Sequence, residues 1–214
     1  MTNPSEVARA LLRIDAVGFS PEQPITFKSG ILSPIYVDNR RLPFYPAEWH
    51  TVIDSFRALI ETESLAFDVI AGVAVGGVPH SAALAYTMSK PSVFIRKEAK
   101  EYGKQKRVEG GEVSGLRVIL IEDLITTGSS SLSGVAALRE EGAMVDLVMA
   151  IVGYGFAEAA GSFVHAGVRL VTLTHFEVIL AEALKMGKFD TAAQSSIEDW
   201  LRDPYGWGER HGHG

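Results

Sequence analysis

The sequence is most informative at Val118-Ile119-Leu120-Ile121-Glu122-Asp123-Leu124-Ile125-Thr126-Thr127-Gly128-Ser129-Ser130-Ser131. Its first four residues would be apolar on both faces of a strand, which is typical of a buried parallel strand. Two adjacent carboxylates follow, and we expect the strand to end there. The hydroxyl-rich residues after them lead into a helical pattern over 129–141. The segment therefore predicts a strand, a turn and a helix, as in an open α/β sheet.

The same alternation continues on both sides of this segment. Short apolar runs rich in β-branched residues predict further buried strands over 69–73, 92–95, 145–152 and 168–173. Helical stretches lie between most of them, over 78–88, 155–166 and 176–186. Strands that alternate with helices predict an α/β fold with a doubly wound, mainly parallel sheet flanked by helices.

The two ends of the chain follow other patterns. Helical spacing is found over 5–17, with Ser5 as the expected N-cap, and again over 47–61, whereas prolines break the pattern over 19–45. Residues 206–214 are rich in glycine and histidine, and we expect them to be frayed. We expect a single domain over 1–214, divided into an N-terminal hood segment (about 1–45), an α/β core (about 47–190) and a tail (191–214).

Composition excludes several classes of protein. The 214-residue chain has no cysteine, which rules out a disulfide framework, thiolate metal sites and a cysteine nucleophile. Its net charge of -6 gives no basic field that would attract nucleic acid. We find neither a secretory signal nor an apolar run near the roughly 18 residues of a membrane span. We expect a cytoplasmic protein that binds no membrane and no nucleic acid, and that holds anionic ligands through a local cluster of donors.

The turn at residues 126–130 has the features of a phosphate site. It presents main-chain N–H groups and hydroxyls at the start of a helix, and Gly128 permits a close approach that a Cβ would block. Glu122 and Asp123 would repel a phosphate, but they suit sugar hydroxyls and Mg²⁺. The combination indicates a phosphorylated sugar bound with a metal ion. A solvated strand end followed by a well-capped helix is the structural alternative.

A second glycine-rich turn lies at residues 72–77, again between a strand and a helix. Another phosphate group is expected there, although glycines that serve packing alone are the alternative. Neither turn has the Gly-x-x-x-x-Gly-Lys-Ser/Thr pattern of a P-loop, so the sequence does not favour an NTPase.

Four segments together carry a resemblance to a known family. Residues 122–131 are similar to the phosphoribosyl pyrophosphate signature of type I phosphoribosyltransferases. Residues 27–38 and 96–103 resemble the N-terminal signature and the mobile catalytic loop of orotate phosphoribosyltransferases. With the turn at 72–79, the resemblance spans residues 5 to about 175. It implies the type I phosphoribosyltransferase fold, with a small N-terminal hood and a long mobile catalytic loop.

The resemblance also implies a reaction and roles for individual residues. The phosphoribosyl group would pass from phosphoribosyl pyrophosphate to orotate, giving orotidine 5'-monophosphate and pyrophosphate on the route to UMP. Lys100 and Asp123 are the expected catalytic residues. The residues expected to bind phosphoribosyl pyrophosphate are Lys28, Val75, Gly76, Arg96, Lys97, Lys100, Tyr102, Glu122, Asp123, Leu124, Ile125, Thr126, Thr127, Gly128, Ser129 and Ser130. Those expected to bind orotate are Lys28, Tyr36, Val37, Arg40 and Thr126.

The same resemblance implies a cofactor and an assembly. Mg²⁺ is expected to bind mainly through the substrate, with Asp123 as the candidate protein ligand. Because the catalytic loop of the family reaches into the neighbouring subunit, we expect a homodimer whose active sites are shared.

The chain departs from the family pattern at three places. Gly76 stands where some relatives have lysine, and Tyr102 stands where some have histidine, so a proton-transfer role of that imidazole does not carry over. Many relatives hold the orotate carboxylate with an arginine where this chain has Gly153-Tyr154-Gly155-Phe156. A carboxylate taken from water requires a charged partner, and we expect Arg40 or Arg41 to supply it. Two surface arginines without this role are the alternative.

Two other functions are compatible with the acidic pair and the phosphate turn. A purine or other pyrimidine phosphoribosyltransferase would share the turn, but the segments at 27–38 and 96–103 argue against it. A non-catalytic regulator that senses phosphoribosyl pyrophosphate on the same fold would not need the loop cations. The four segments together favour the orotate enzyme.

Overall fold

The computed structural model describes residues 3–27, 29–98 and 106–213. The strands within these ranges are β1 (Val17–Phe19), β2 (Ile25–Thr26), β3 (Leu32–Ser33), β4 (Ile35–Val37), β5 (Val69–Val73), β6 (Ser92–Ile95), β7 (Val108–Glu109), β8 (Arg117–Ile125), β9 (Met144–Gly153) and β10 (Arg169–His175). The helices there are α1 (Pro4–Arg13), α2 (Pro46–Thr62), α3 (Gly77–Thr87), α4 (Ser129–Glu140), α5 (Ala157–His165), α6 (Phe176–Lys185), α7 (Thr191–Arg202) and α8 (Trp207–Arg210), with a 3₁₀ helix at Asn39–Phe44.

The main sheet has the strand order β10-β9-β8-β5-β6-β7. Its neighbouring strands are parallel except for the antiparallel pair β6 and β7. Successive residues of β8 point to opposite sides of the sheet, so each face presents its own apolar side chains, and helices cover both faces. Ile119 and Ile121 pack in the core with α1, α2, α3, α6 and α7, whereas Val118 and Leu120 pack with α4 and α5. The predicted α/β fold with a mainly parallel sheet is therefore confirmed.

Strand β8 is longer than the sequence predicted. The expectation that it ends at the acidic pair was wrong, because β8 remains paired with β9 as far as Ile125. On its other side, the pairing with β5 stops at Ile121. Glu122 and Asp123 therefore lie within β8 but beyond the last paired residue of β5. This is the carboxyl edge of the sheet, where open α/β sheets bind ligands.

The beginning of the chain also differs from its prediction. Helix α1 starts at Pro4, and its N-cap is Asn3 rather than Ser5. The side chain of Asn3 accepts a hydrogen bond of 3.1 Å from the main-chain N–H of Ser5. Proline suits the first position of a helix because its missing N–H would have no partner there. After α1, the hood segment forms two small antiparallel sheets: β1 pairs with β4, and the hairpin of β2 and β3 lies between them in the chain.

Residues 206–213 are ordered, contrary to the expectation that the segment 206–214 is frayed. Trp200 of α7 and Trp207 of α8 are fully buried, and both belong to the core on the α1 side of the sheet. Asp190 caps α7 by accepting a hydrogen bond of 2.8 Å from the main-chain N–H of Ala193. Burial of two indole rings stabilises this part of the fold, although the local sequence has only a weak helical pattern.

Within the described part of the chain, no helix has both the length and the apolar character that crossing a membrane requires.

Candidate active site

A cavity of about 760 Å³ opens at the carboxyl ends of β5 and β8. Its wall is built by the hood segment, the turn after β5, the residues after β6, the end of β8 and the first turn of α4. The predicted binding residues that line it are Val37, Arg40, Val75, Gly76, Arg96, Lys97, Glu122, Asp123, Leu124, Thr126, Thr127, Gly128, Ser129 and Ser130. The fold thus brings together residues that the sequence spreads over almost 100 positions.

Glu122 and Asp123 form the acidic part of this cavity. Glu122 is buried, and its two oxygens accept hydrogen bonds from the main-chain N–H of Asp123 at 3.2 Å and from the hydroxyl of Ser131 at 3.1 Å. Burial raises the pKa of Glu122 well above its usual range, and the charge of Asp123 raises it further. Burial also raises the pKa of Asp123, while hydrogen bonds and the charge of Arg40 oppose this rise. A cation or hydroxyl donors entering the cavity would stabilise both charged carboxylates.

The first turn of α4 supplies the opposite kind of group. Gly128 is its N-cap and has a φ of 81°, in the left-handed region that favours glycine. The first main-chain N–H groups of a helix have no partner within the helix, and the helix dipole makes this end positive. The hydroxyls of Thr127 and Ser129 lie 3.3 Å apart beside these groups. The turn therefore offers main-chain and hydroxyl donors to a phosphate.

The turn between β5 and α3 faces the acidic pair. Gly76 is the N-cap of α3, and a Cβ placed on it would overlap the carboxylate of Asp123. The preceding Ala74–Val75 peptide bond is cis. A larger residue at position 76, such as the lysine of some relatives, would therefore require the carboxylate of Asp123 to move.

A buried asparagine joins the hood segment to the acidic strand. The Nδ2 of Asn39 donates a hydrogen bond of 2.7 Å to the main-chain carbonyl of Asp123. The next residue, Arg40, lines the cavity, and its Nε donates to Asp38 at 2.6 Å. The hydrogen bond to Asp38 and the negative charges of Asp38 and Asp123 raise the pKa of Arg40. Asn39 thus helps to hold the charged guanidinium of Arg40 close to the carboxylates of Glu122 and Asp123.

A second buried polar contact adjoins Asn39. The Nε1 of Trp49 on α2 donates a hydrogen bond of 3.0 Å to Nδ1 of His80 on α3. Burial lowers the pKa of His80 to about 4, and the main chain of Asn39 partly opposes this change. The ring is therefore neutral at pH 7, with its proton on Nε2 because Nδ1 accepts. The contact connects α2 to α3 beside the 3₁₀ helix that carries Asn39.

Basic residues border the cavity beside β6. Arg96 and Lys97 line it, and the main-chain N–H of Arg96 donates to the carbonyl of Arg107 at 2.9 Å. The guanidinium of Arg107 returns a hydrogen bond of 2.9 Å to the carbonyl of Arg96 and donates to the hydroxyl of Ser133 on α4 at 2.9 Å. The two stems of the predicted catalytic loop therefore meet beside the phosphate turn.

Some predicted residues do not line the cavity, and others cannot be located. The side chain of Ile125 is buried in the core. The ring of Tyr36 lies over Gly18, where a Cβ would overlap it. Lys28, Lys100 and Tyr102 are outside the described residues. Their roles stay predictions.

Arg41 and Tyr154 do not line the cavity, and each makes contacts elsewhere. Arg41 donates a hydrogen bond of 3.3 Å to the hydroxyl of Tyr45. Tyr154 packs against Phe27 and Trp200, with ring centroids 5.6 and 5.2 Å away. Burial raises the pKa of Tyr154, and its hydroxyl has no hydrogen-bond partner among the residues that the structure describes. Tyr154 therefore serves the core at the place where many relatives have an arginine.

Several residues that line or support the cavity were not predicted from the sequence. Phe27, Ser29, Glu98 and Ser131 line it and lie next to residues that were predicted. They lie within the segments that carry the predicted binding residues, so their position in the sequence could have indicated that they line the cavity. Asn39 supports the cavity from a buried position, and a single asparagine between two charged residues gives no comparable signal.

Comparison with known proteins agrees with this geometry. Residues 47–155 match the model of the phosphoribosyl transferase domain family. The chain is 38% identical over 207 residues to the orotate phosphoribosyltransferase of Coxiella burnetii, in an alignment that covers 97% of this chain and 99% of that protein.

Solved structures give the same result. The orotate phosphoribosyltransferase from Aeropyrum pernix has a TM-score of 0.72 and 31% identity, covering 86% of this chain and 99% of that chain. The Mycobacterium tuberculosis H37Rv orotate phosphoribosyltransferase in complex with 5-phospho-alpha-D-ribosyl 1-diphosphate has a TM-score of 0.64 and 25% identity, covering 82% of this chain and 98% of that chain. Similarity of this extent along nearly whole chains shows that the protein belongs to the orotate phosphoribosyltransferase family.

Proposed function

We propose that this chain is an orotate phosphoribosyltransferase whose active site is the cavity at the carboxyl ends of β5 and β8. It transfers the phosphoribosyl group of phosphoribosyl pyrophosphate to orotate, and it yields orotidine 5'-monophosphate and pyrophosphate in de novo UMP biosynthesis. One observation carries this proposal: the acidic pair and the hydroxyl-rich start of α4 line the same cavity as Arg40 and Arg96. Carboxylates suit sugar hydroxyls, and the N–H groups and cations suit phosphates.

We assign the sugar diphosphate to the sheet side of the cavity. The turn at residues 126–130 would bind the phosphate on the sugar, and Glu122 and Asp123 would accept hydrogen bonds from the ribose hydroxyls. The turn that contains Gly76 would meet the pyrophosphate mainly through main-chain N–H groups. This arrangement keeps the two anionic groups of the ligand at separate turns, with the carboxylates between them.

Mg²⁺ is the metal that this donor set fits. The described residues contain no group of three or more His, Cys, Asp and Glu side chains that could hold a metal ion. Mg²⁺ prefers oxygen ligands, keeps several waters and commonly binds through one or two carboxylates and substrate phosphates. We therefore assign Asp123 as the candidate protein ligand. When bound, the ion would neutralise charge on the pyrophosphate.

The reaction needs positive charge near the leaving group. A ring nitrogen of orotate loses its proton and forms a bond to C1 of the ribose while the bond from C1 to the pyrophosphate oxygen breaks. The electron pair of that bond leaves with the pyrophosphate, which can take up the proton. We propose that Arg96, Lys97, Lys28 and, above all, Lys100 face this growing negative charge. Cations that meet the charge as it develops stabilise the transition state more than the ground state. Closure of the loop would also exclude water, which would otherwise hydrolyse the sugar diphosphate.

We assign orotate to the hood side of the cavity, with Arg40 as the partner of its carboxylate. Arg40 lines the cavity, whereas Arg41 is engaged with Tyr45. A guanidinium has five N–H donors, so the single bond from Nε to Asp38 leaves donors for a ligand. Val37 and Thr126 lie on the same cavity wall and would contact the base.

We also propose that the enzyme acts as a cytoplasmic homodimer without nucleic acid, and that residues 1–214 form one domain. Phe44 and Tyr86 expose 82% and 89% of their surface, and Val75 on the cavity wall exposes 78%. Large exposed apolar side chains often mark a protein interface. Size-exclusion chromatography with light scattering tests the dimer: the mass should be twice that of one chain, and Tyr86→Lys should lower it.

Orotate consumption, followed by ultraviolet absorbance, tests the reaction. The absorbance of orotate should fall only when the enzyme, phosphoribosyl pyrophosphate and Mg²⁺ are all present. Turnover of another base but not of orotate would keep the sugar site and overturn the base assignment. Binding of the sugar diphosphate without turnover of any base would favour a regulator.

A further inference from the structure

The hairpin of β2 and β3 carries part of the cavity wall but has little support of its own. It pairs only two residues on each strand, and both residues of β2 are exposed. A two-stranded hairpin alone is marginally stable at best in water. Phe27 and Ser29, at its tip, nevertheless line the cavity. Something outside the hairpin must therefore hold this wall in place.

Burial of Ile31 in the core and packing of Phe27 on Tyr154 provide part of this support, and Trp200 of α7 adds a directed contact. Its indole Nε1 donates a hydrogen bond of 2.7 Å to the main-chain carbonyl of Leu32, which is in β3. Its ring also meets the ring of Phe27 edge to face, with centroids 6.0 Å apart. Trp200 thus contacts the hairpin at its second strand and at its tip.

Trp207 of α8 is equally buried but holds no main-chain group in this way. Its Nε1 has no hydrogen-bond partner among the described residues. It stacks on His211 and His213, with ring centroids 4.6 and 5.6 Å away. The two tryptophans therefore meet the hairpin differently: Trp200 combines packing with a directed hydrogen bond to β3, whereas α8, which carries Trp207, meets β3 by packing of Gly208 against the side chain of Leu32.

We propose that Trp200 is a positioning residue for orotate, acting through the hairpin that carries Phe27 and Ser29. This inference rests on the proposed function, because it assigns that wall to the base. Loss of the indole N–H would leave a part-buried carbonyl without its partner and would free the hairpin to move. Binding of orotate would weaken as a result, while the phosphate turn of α4, on a different part of the wall, would keep its geometry.

Two tryptophan-to-phenylalanine variants separate positioning from packing. Trp200→Phe should raise the KM for orotate about ten-fold, the scale expected for one lost hydrogen bond to a buried group, and the KM for phosphoribosyl pyrophosphate should change much less. Trp200→Phe and Trp207→Phe should lower the melting temperature by similar amounts. Trp207→Phe should nevertheless leave the KM for orotate unchanged. Equal effects of the two variants on the KM for orotate would overturn the proposal.

Trp200→His provides a rescue that packing alone does not predict. The five-membered rings of tryptophan and histidine place an N–H at the same ring position, so histidine can donate to Leu32 while it fills less space. We expect Trp200→His to be less stable than Trp200→Phe but to have a KM for orotate closer to that of the wild type. If Trp200→Phe is unfolded at the assay temperature, the wild type and the variants are compared at a lower temperature at which all of them are folded. A KM that followed side-chain volume instead would refute the role of the N–H.

Amide hydrogen exchange of the peptide over residues 25–33 gives a measurement independent of the substrate. Exchange should rise more in Trp200→Phe than in Trp207→Phe, because only Trp200 donates a hydrogen bond to the main chain of β3. If wild-type enzyme failed to consume orotate while this difference remained, the proposed function would fail and the support of the hairpin would stand. If exchange did not change, the support of the hairpin by Trp200 would be wrong.

Discussion

Asn39 and Asp123 are 84 residues apart in the sequence, yet Nδ2 of Asn39 donates a 2.7 Å hydrogen bond to the main-chain carbonyl of Asp123. The bond joins the segment that carries Arg40 to the strand that carries the acidic pair. It acts on the backbone of Asp123 and leaves the carboxylate available to a ligand. The distance between the proposed orotate site and the proposed sugar site therefore depends on one buried amide.

We expect Asn39→Ala to raise the KM for both substrates and to lower the free energy of unfolding by about 1 kcal/mol, because the carbonyl of Asp123 loses its partner. Steady-state kinetics and urea unfolding measure the two effects. Ser55→Ala is the control, since it also removes a part-buried side-chain hydrogen bond to a main-chain carbonyl, but within α2. A loss of stability without a change in either KM would contradict the link between the sites.

Arg40→Ala and Arg41→Ala should differ in their effect on orotate. The first should raise the KM for orotate about ten-fold or more, as expected for a lost charged hydrogen bond, and the second should leave it near the wild-type value. Arg41 serves as the matched control because it neighbours Arg40 but bonds to Tyr45. An unchanged KM for orotate in Arg40→Ala would exclude it as the carboxylate partner.

Glu122→Gln should make the protein more stable at pH 7.5 while it weakens binding of the sugar diphosphate. The pKa of Glu122 is raised in the folded protein, so the folded state binds its proton more tightly than the unfolded state. Its ionisation therefore reduces stability as pH rises above the unfolded pKa of about 4.3. The gain in the variant should be small near pH 4 and grow towards neutral pH. Unfolding curves at several pH values measure it, and a gain that shrinks as pH rises would contradict the assignment.

Gly128→Ala should lower kcat/KM about 100-fold, the scale that a displaced substrate-positioning group can cause. A Cβ at this position would press on the ring of Phe163 and would stand at a φ of 81°. Gly187→Ala is the control, because its φ is 65° but nothing lies within 4 Å of the added carbon. Both variants carry the cost of a left-handed alanine, about 1 kcal/mol, so only the difference in kcat/KM reports on the phosphate turn.

Lys100→Ala should lower kcat by about 100-fold or more, the scale found when a group that stabilises transition-state charge is removed. This prediction rests on the resemblance of residues 96–103, since Lys100 is outside the described residues. Lys106→Ala is the control: Lys106 bonds to Glu141 at 2.8 Å, away from the acidic pair. Turnover at the wild-type rate in Lys100→Ala would remove the loop from the mechanism.

The sequence predicted the central sheet well because its strands are continuous apolar runs. The predicted bounds of β5 and β6, residues 69–73 and 92–95, agree with the structure. The end of β8 was predicted too early, because the pairing that continues through Asp123 depends on β9 and not on the local residues. The N-cap of α1 could have been found from Pro4, which marks the first position of a helix.

The features that were not predicted from the sequence depend on contacts between distant parts of the chain. The acidic pair and the phosphate turn were found because they are adjacent in the sequence. Asn39 was missed because its partner is a carbonyl 84 residues away. The ordered tail was missed because the burial of Trp207 depends on packing against the hood segment, where His213 bonds to the carbonyl of Pro21 at 2.9 Å.

The bond between Trp200 and Leu32 also sets an order of events during protein synthesis. The ribosome adds Trp200 168 residues after Leu32, so the hairpin is made long before its support exists. The strands of the main sheet and the phosphate turn are complete once residue 175 has emerged. A nascent chain that pauses before α7 therefore already contains the groups proposed to hold the sugar diphosphate, but the wall proposed to select the base awaits the last helices to be translated.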